Sequence, residues 1–112
     1  MAKKRSKVSV EESSGNVFAD LGLSDPEERL AKADLAIAIS REIESRGLTQ
    51  AEAAELLGVA QPDVSNLMRG RLSGYSIERL TRLLNALGQD VEIRIRPSQN
   101  GGERGHLRVA VG

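Results

Sequence analysis

A chain of 112 residues with no cysteine, a formal net charge of zero, and one Phe and one Tyr as its only aromatics has room for a single modest core and lacks both a disulfide framework and a thiolate metal site. So few aromatics argue against a base-stacking platform for RNA or single strands. No apolar run approaches membrane-spanning length and the N-terminal MAKKRSKVSVEESSG has no apolar centre of the signal-peptide kind, so the expected location is the cytosol, with no membrane partner.

The charges are segregated. Lys3, Lys4, Arg5 and Lys7 stand in residues 1–7 without an acid, residues 8–68 are acidic, and arginines outnumber acids from Arg69 onward. A neutral chain can still present a basic stripe, but its non-specific affinity for nucleic acid is weak. That argues against a general nucleic-acid coat.

Residues 1–15 read as a disordered basic and polar tail; a solvated tail is favoured over phosphate contacts. Residues 16–23 hold an apolar island, Val17, Phe18, Leu21 and Leu23, that either docks on the chain's own first helix or forms part of a partner surface. Asp25-Pro26-Glu27-Glu28 is a helix start, with Asp as N-cap, Pro in the first turn and Glu at N3. The helix is predicted to run to about Arg46 and end at Gly47. Leu35, Ile39 and Ile43 make one apolar stripe, and Leu30, Ala33 and Ile37 a second on nearly the opposite side. A small bundle buries one stripe, so the second needs residues 16–23, another copy or another protein to cover it.

Residues 48–70, LTQAEAAELLGVAQPDVSNLMRG, hold the densest signal. Thr49-Gln50-Ala51-Glu52 is a capping box. A short helix through Ala53, Ala54, Leu56 and Leu57 stops at Gly58, the residue best suited to a left-handed turn. Gln61-Pro62 opens a second short helix. Two short helices joined by a glycine turn form a helix-turn-helix unit. At about 100° per residue, Val64, Leu67 and Met68 fall on one side of the second helix, and Pro62, Ser65, Asn66 and Arg69 on the other, with Gln61 at its exposed start. Amides can pair bidentately with adenine, and a guanidinium with guanine or a phosphate. The competing reading is an ordinary solvated face.

Gly70-Arg71-Leu72-Ser73-Gly74-Tyr75 is a donor-rich loop in which Arg71, Ser73 and the Tyr75 hydroxyl are candidates for phosphate contacts, which set register and carry no sequence information. Ser76 then caps a helix with Ile77, Leu80, Leu84 and Leu87 on one stripe, Leu83 beside it and Gly88 at its end; Arg79 and Arg82 read as solvated. In residues 90–97 the period changes to strict alternation, Val91, Ile93 and Ile95 against Glu92, Arg94 and Arg96, the pattern of a half-buried strand. A lone strand leaves its backbone unpaired. It needs either a hairpin partner in residues 107–111 or, the favoured choice, a second copy across a two-fold axis. A dimer would also place two reading helices on half-sites one DNA turn apart.

Gln50, Ala54, Gly58, Val59, Val64 and Leu67 have the spacing of lambda-repressor-like (Cro/cI, or XRE) helix-turn-helix domains, and the chain resembles that family. The resemblance implies that Gln61, Pro62, Ser65, Asn66 and Arg69 face the major groove, and that Thr49 and Gln50 lie near a backbone phosphate at a helix N-terminus. Pro62 departs from the family's usual polar side chain and offers only an apolar contact, so specificity leans on Gln61 and Asn66.

Over residues 16–97 the chain is similar to one branch, the HigA-type antitoxins, through Val17-Phe18-Ala19-Asp20-Leu21-Gly22, Pro26-Glu27-Glu28 and Val91-Glu92-Ile93. This similarity implies a small basic RelE/HigB-like ribonuclease toxin as partner, with repression of the operon encoding both. Val17, Phe18, Leu21, Leu30 and Ile37 form the candidate partner surface.

Catalysis finds no support: His106 is the only histidine, it lies in a Gly-rich stretch, and no nucleophile motif or metal-ligand set accompanies it. The expected fold is mainly α, a bundle of four to five helices over residues 16–97 with a C-terminal β-strand used in dimerisation; residues 98–112 are a flexible tail or second strand. The expected function is sequence-specific transcriptional repression without cofactor or metal, as an antitoxin. A non-DNA-binding helical interaction module and a stand-alone repressor are the alternatives.

Overall fold

A computed structural model describes residues 25–98 and 104–111. The expectations for the tail 1–15 and for Val17, Phe18 and Leu21 lie outside the described residues. Among the described residues four helices follow in order: α1 (Asp25–Ser45), α2 (Gln50–Leu57), α3 (Gln61–Met68) and α4 (Ile77–Ala86).

In α1, Asp25, Glu27 and Glu28 occupy the first turn, where carboxylates complement the positive end of the helix dipole. Its stripe Leu35, Ile39 and Ile43 is buried together with Ala31 and Ala36. Backbone bonding continues one residue past Ser45, from the Arg46 N–H to the Glu42 carbonyl at 3.1 Å, so the predicted and observed ends differ by one residue. The Arg46 side chain donates to the Glu42 carboxylate at 2.9 Å and to the Leu87 carbonyl, linking the C-terminal ends of α1 and α4. α1 packs chiefly on α4 and also on α3, while α2 packs chiefly on α3.

Ile39, Ile43, Val64, Leu67, Leu80 and Leu87 are fully enclosed side chains. They come from α1, α3, α4 and the residue that caps α4, Leu87, and no buried polar or charged residue interrupts them among the described residues. Ser76 starts α4 as predicted, its Oγ accepting from the Arg79 N–H at 3.0 Å. The stripe Ile77, Leu80, Leu84 and Leu87 closes the core with Leu83.

The expected C-terminal strand is not formed among the described residues. Residues 91–98 are irregular. Ile93 is 79% and Ile95 94% exposed. The alternation is present in the sequence, but a strand is defined by its ladder, and no described residue supplies one. The hairpin alternative fails similarly, since residues 107–111 form no backbone bonds with 91–97. Leu107 and Val109 instead pack against the helical core. His106 Nδ1 lies 2.8 Å from a Glu27 carboxylate oxygen at the start of α1.

Because Ile39 is fully enclosed, Ile39→Ala is expected to cost about 2–5 kcal/mol. Gly58, at φ +71°, cannot carry a Cβ without backbone strain, so Gly58→Ala is expected to cost about 1–2 kcal/mol. Urea unfolding midpoints check both.

Candidate nucleic-acid interface

Local signals set the geometry of the helix pair. Thr49 caps α2 with both halves of the box in place: its Oγ1 accepts from the Glu52 N–H at 3.1 Å, and the Glu52 carboxylate accepts from the Thr49 N–H at 2.9 Å. Gly58 ends α2 in the left-handed region, and the next N–H, that of Val59, donates to the Ala54 carbonyl at 3.0 Å. The chain thereby reverses within three residues, and Ala60 becomes the N-cap of α3 with Gln61 and Pro62 following. Ala53 and Ala54 are buried; their small side chains leave space for α3 to lie close.

α3 is turned by two anchors. Val64 is 1% and Leu67 2% exposed, so the opposite side points outward. Gln61, Pro62, Asn66 and Arg69 are exposed and Ser65 is half-buried. None of these side chains has a hydrogen bond or ion pair among the described residues. Eight residues make a helix about 12 Å long, comparable to the roughly 12 Å width of the B-DNA major groove.

The loop after α3 stays close to this face, because the Arg71 N–H donates to the Asn66 carbonyl at 2.8 Å. Arg71 and Ser73 are exposed and available to phosphates. Thr49 is exposed and Gln50 half-buried at the start of α2.

Tyr75 does not serve as an exposed phosphate donor: it is 5% exposed, and its hydroxyl donates to the Asp63 carbonyl at 2.8 Å. Burial pushes its phenol above the ordinary value, outweighing the nearby Arg79 guanidinium, which pulls the other way. The hydroxyl stays protonated and its proton is committed to Asp63.

Arg79, read from the sequence as solvated, is half-buried. Its guanidinium lies over the Tyr75 ring at 4.5 Å from the centroid. It donates to the Gly74 carbonyl at 3.3 Å and meets the Asp63 carboxylate at 3.4 Å. Tyr75 and Arg79 therefore tie the first turn of α3 to the loop and to α4. Each link is modest, about 1 kcal/mol for the tyrosine hydrogen bond, about 0.5–1 for the cation–π contact and less than about 1 for the half-exposed ion pair.

The same pairing shapes the charge. Arg79 offsets Asp63, and Arg82 is held by Glu78 at 2.7 Å, which leaves Arg69 and Arg71 as cations beside the outward side of α3 without an ion pair among the described residues. Sequence reading missed the Asp63–Tyr75–Arg79 cluster. The four-residue spacing of Tyr75 and Arg79 was visible, but Asp63 joins them only through the folded turn.

Of the other predicted site residues, Leu30 is 64% and Ile37 48% exposed on α1, and Val91 37%. No described helix is long and apolar enough to cross a membrane.

Residues 17–96 match the protein family described as Helix-turn-helix domain. A solved structure described as a candidate XRE-family transcriptional regulator superposes with a TM-score of 0.75 at 45% identity, over 80% of this chain and 100% of that one. No curated protein sequence matches the chain.

Tyr75→Phe keeps the ring and removes the bond to Asp63; it is expected to lower stability by about 1 kcal/mol. Arg71→Ala, with nothing to lose in the folded state, is expected to change stability by less than about 0.5 kcal/mol. Thermal unfolding of the two variants side by side checks the contrast.

Proposed function

We propose, since the chain belongs to the XRE-type helix-turn-helix family, that it represses transcription from its own promoter as a homodimer and neutralises a small basic toxin encoded beside it. The coarser part follows from family membership: the chain is a DNA-binding transcriptional regulator. The observation that carries the mechanism is the outward side of α3, where Gln61, Asn66 and Arg69 are exposed and unpaired above a buried Val64 and Leu67.

In a duplex complex α3 lies in the major groove. Gln61 and Asn66 pair with adenine edges through their amides, Arg69 reaches guanine or a phosphate, and Pro62 rests on a thymine methyl. Arg71, Ser73, Thr49 and Gln50 contact the flanking backbone, with the N-terminus of α2 favouring an anion. With a formal net charge of zero and two unpaired cations at the face among the described residues, non-specific binding is weak and selectivity rests on matched base edges.

Support for a homodimer lies in the alternation of Val91, Ile93 and Ile95 and in their exposure. Support for the antitoxin role lies in the likeness of the segments Val17–Gly22, Pro26–Glu28 and Val91–Ile93 to HigA-type antitoxins. Acidic α1 side chains would attract a basic RelE/HigB-like ribonuclease.

Gln61→Ala and Asn66→Ala are each expected to cost about 1–3 kcal/mol on the operator and to relax base preference at one position, whereas Arg71→Ala weakens all sequences alike and reduces the salt slope by about one. Fluorescence anisotropy on operator and scrambled duplexes separates these; equal losses on both duplexes for all three variants would refute the groove assignment. For the antitoxin role, the product of the neighbouring reading frame is expected to co-purify with the chain and to lose its toxicity. If neither happens while operator binding is intact, the chain is a stand-alone repressor.

A further inference from the structure

Asp63 is an acid in the first turn of α3, two residues after Gln61 and three before Asn66. A carboxylate there suits the helix dipole, but beside a duplex it repels phosphate, and a chain of zero net charge has little cationic surplus to offset it. The contacts around Asp63 give it a second role. Its main chain and its side chain are held by one neighbourhood. The Tyr75 hydroxyl donates to its carbonyl at 2.8 Å, and the Arg79 guanidinium meets its carboxylate at 3.4 Å.

Both partners are themselves fixed to the rest of the fold. Tyr75 is buried in the core, and its N–H donates to the Leu72 carbonyl at 2.9 Å. Arg79 belongs to α4, where its N–H is capped by Ser76; its guanidinium lies over the Tyr75 ring and donates to the Gly74 carbonyl at 3.3 Å. Around the axis of α3, at about 100° per residue, Asp63 stands about 40° from the Leu67 anchor and about 60° from Asn66. It therefore occupies the flank between the buried and the outward sides. The apolar contacts of Val64 and Leu67 are non-directional: they choose which side of α3 is buried and tolerate small rotations about that choice. Hydrogen bonds on the flank are directional and restrict those rotations.

We propose, resting on the DNA-binding role given above, that Asp63 is a positioning residue for sequence-specific binding. Gripped by Tyr75 and Arg79, it holds α3 in the orientation from which Gln61 and Asn66 meet base edges. Its charge lowers affinity for every duplex, while its contacts raise the preference for the matched one. The consequence runs against simple charge counting. Removing an acid from a surface that meets phosphate strengthens binding to all duplexes alike. Removing this one also releases α3, which weakens binding only where base edges must be met. A pair this exposed adds at most about a fivefold factor to the population of the competent orientation, and that factor bounds the loss.

The test compares wild type, Asp63→Ala, Arg79→Met and the double variant, all in the full chain; methionine keeps the arginine stem and has no donor. Fluorescence anisotropy is measured on two duplexes, the sequence that wild type enriches from a random pool and a scramble of it. Asp63→Ala is expected to bind the scramble about twofold more tightly and Arg79→Met about twofold more weakly. Each nevertheless lowers the ratio of selected to scrambled affinity about threefold to fivefold. The double variant loses no more of that ratio than either single variant, because the two substitutions break one link. Unchanged ratios across the set, with only the scrambled affinities moving, would reduce the pair to its charge and overturn the positioning role. Losses of ratio that multiply in the double variant would overturn it too.

A second arm needs no DNA. Residual dipolar couplings of backbone amides report the direction of α3 against α1 and α4. In both single variants the couplings of α3 are expected to depart from the wild-type orientation, while α1 and α4 keep theirs. An unmoved α3 contradicts the positioning role whatever the duplexes show. Failure of wild type to enrich any sequence refutes the regulator reading instead, and the couplings then decide the positioning of α3 by themselves.

Discussion

Burial of Val64 and Leu67 governs what this molecule can present to its surroundings. Both sit against a core supplied by α1 and α4, led by Ile39, Ile43, Leu80 and Leu87. Together these anchors fix the rotation of an eight-residue helix too short to be stable by itself. Once the rotation is fixed, the exposed amides and guanidinium of Gln61, Asn66 and Arg69 need no further device to point outward. A polar side chain at either anchor would leave an unpaired group in the core or turn the helix, and each outcome removes the reading face.

Tilt and position depend on weaker links. Gly58 permits the reversal that brings α3 back over Ala53 and Ala54, while Tyr75 and Arg79 hold the first turn of α3 from the other side through Asp63. These contacts are individually small and act on one turn of one helix. Their placement also matters electrostatically: the Asp63 carboxylate on α3 would repel the phosphates of a bound duplex, and its pairing with Arg79 reduces that penalty. The zero net charge of the chain is thus compatible with a locally usable surface, because neutralisation falls beside the reading face and not on it.

Much of this was legible in the sequence because the signals are local. The capping box at Thr49, the stop at Gly58 and the 3.6-residue spacing of Val64, Leu67 and the α4 leucines each act within a turn or two, and family likeness reinforced them. Tyr75 and Arg79 were misread because a donor in a loop looks free until its acceptor, a backbone carbonyl twelve residues earlier, is brought alongside. The segment 90–97 shows the opposite error. Its alternation marks a segment suited to pairing, but pairing is a property of two segments, and the described residues offer no second one. Docking of Leu107 and Val109 on the core was not readable, since a short apolar alternation says nothing about whether a sheet or a helix will receive it.

The side of α3 opposite Val64 and Leu67 is the surface proposed to meet the duplex. Amide chemical-shift mapping of isotopically labelled protein, titrated with duplex from its own upstream region, tests this most directly. The side-chain amides of Gln61 and Asn66 and the backbone of residues 69–73 are expected to shift, while Ile39 and Leu80 stay in place. Shifts concentrated on α1 with residues 61–73 unmoved would contradict it.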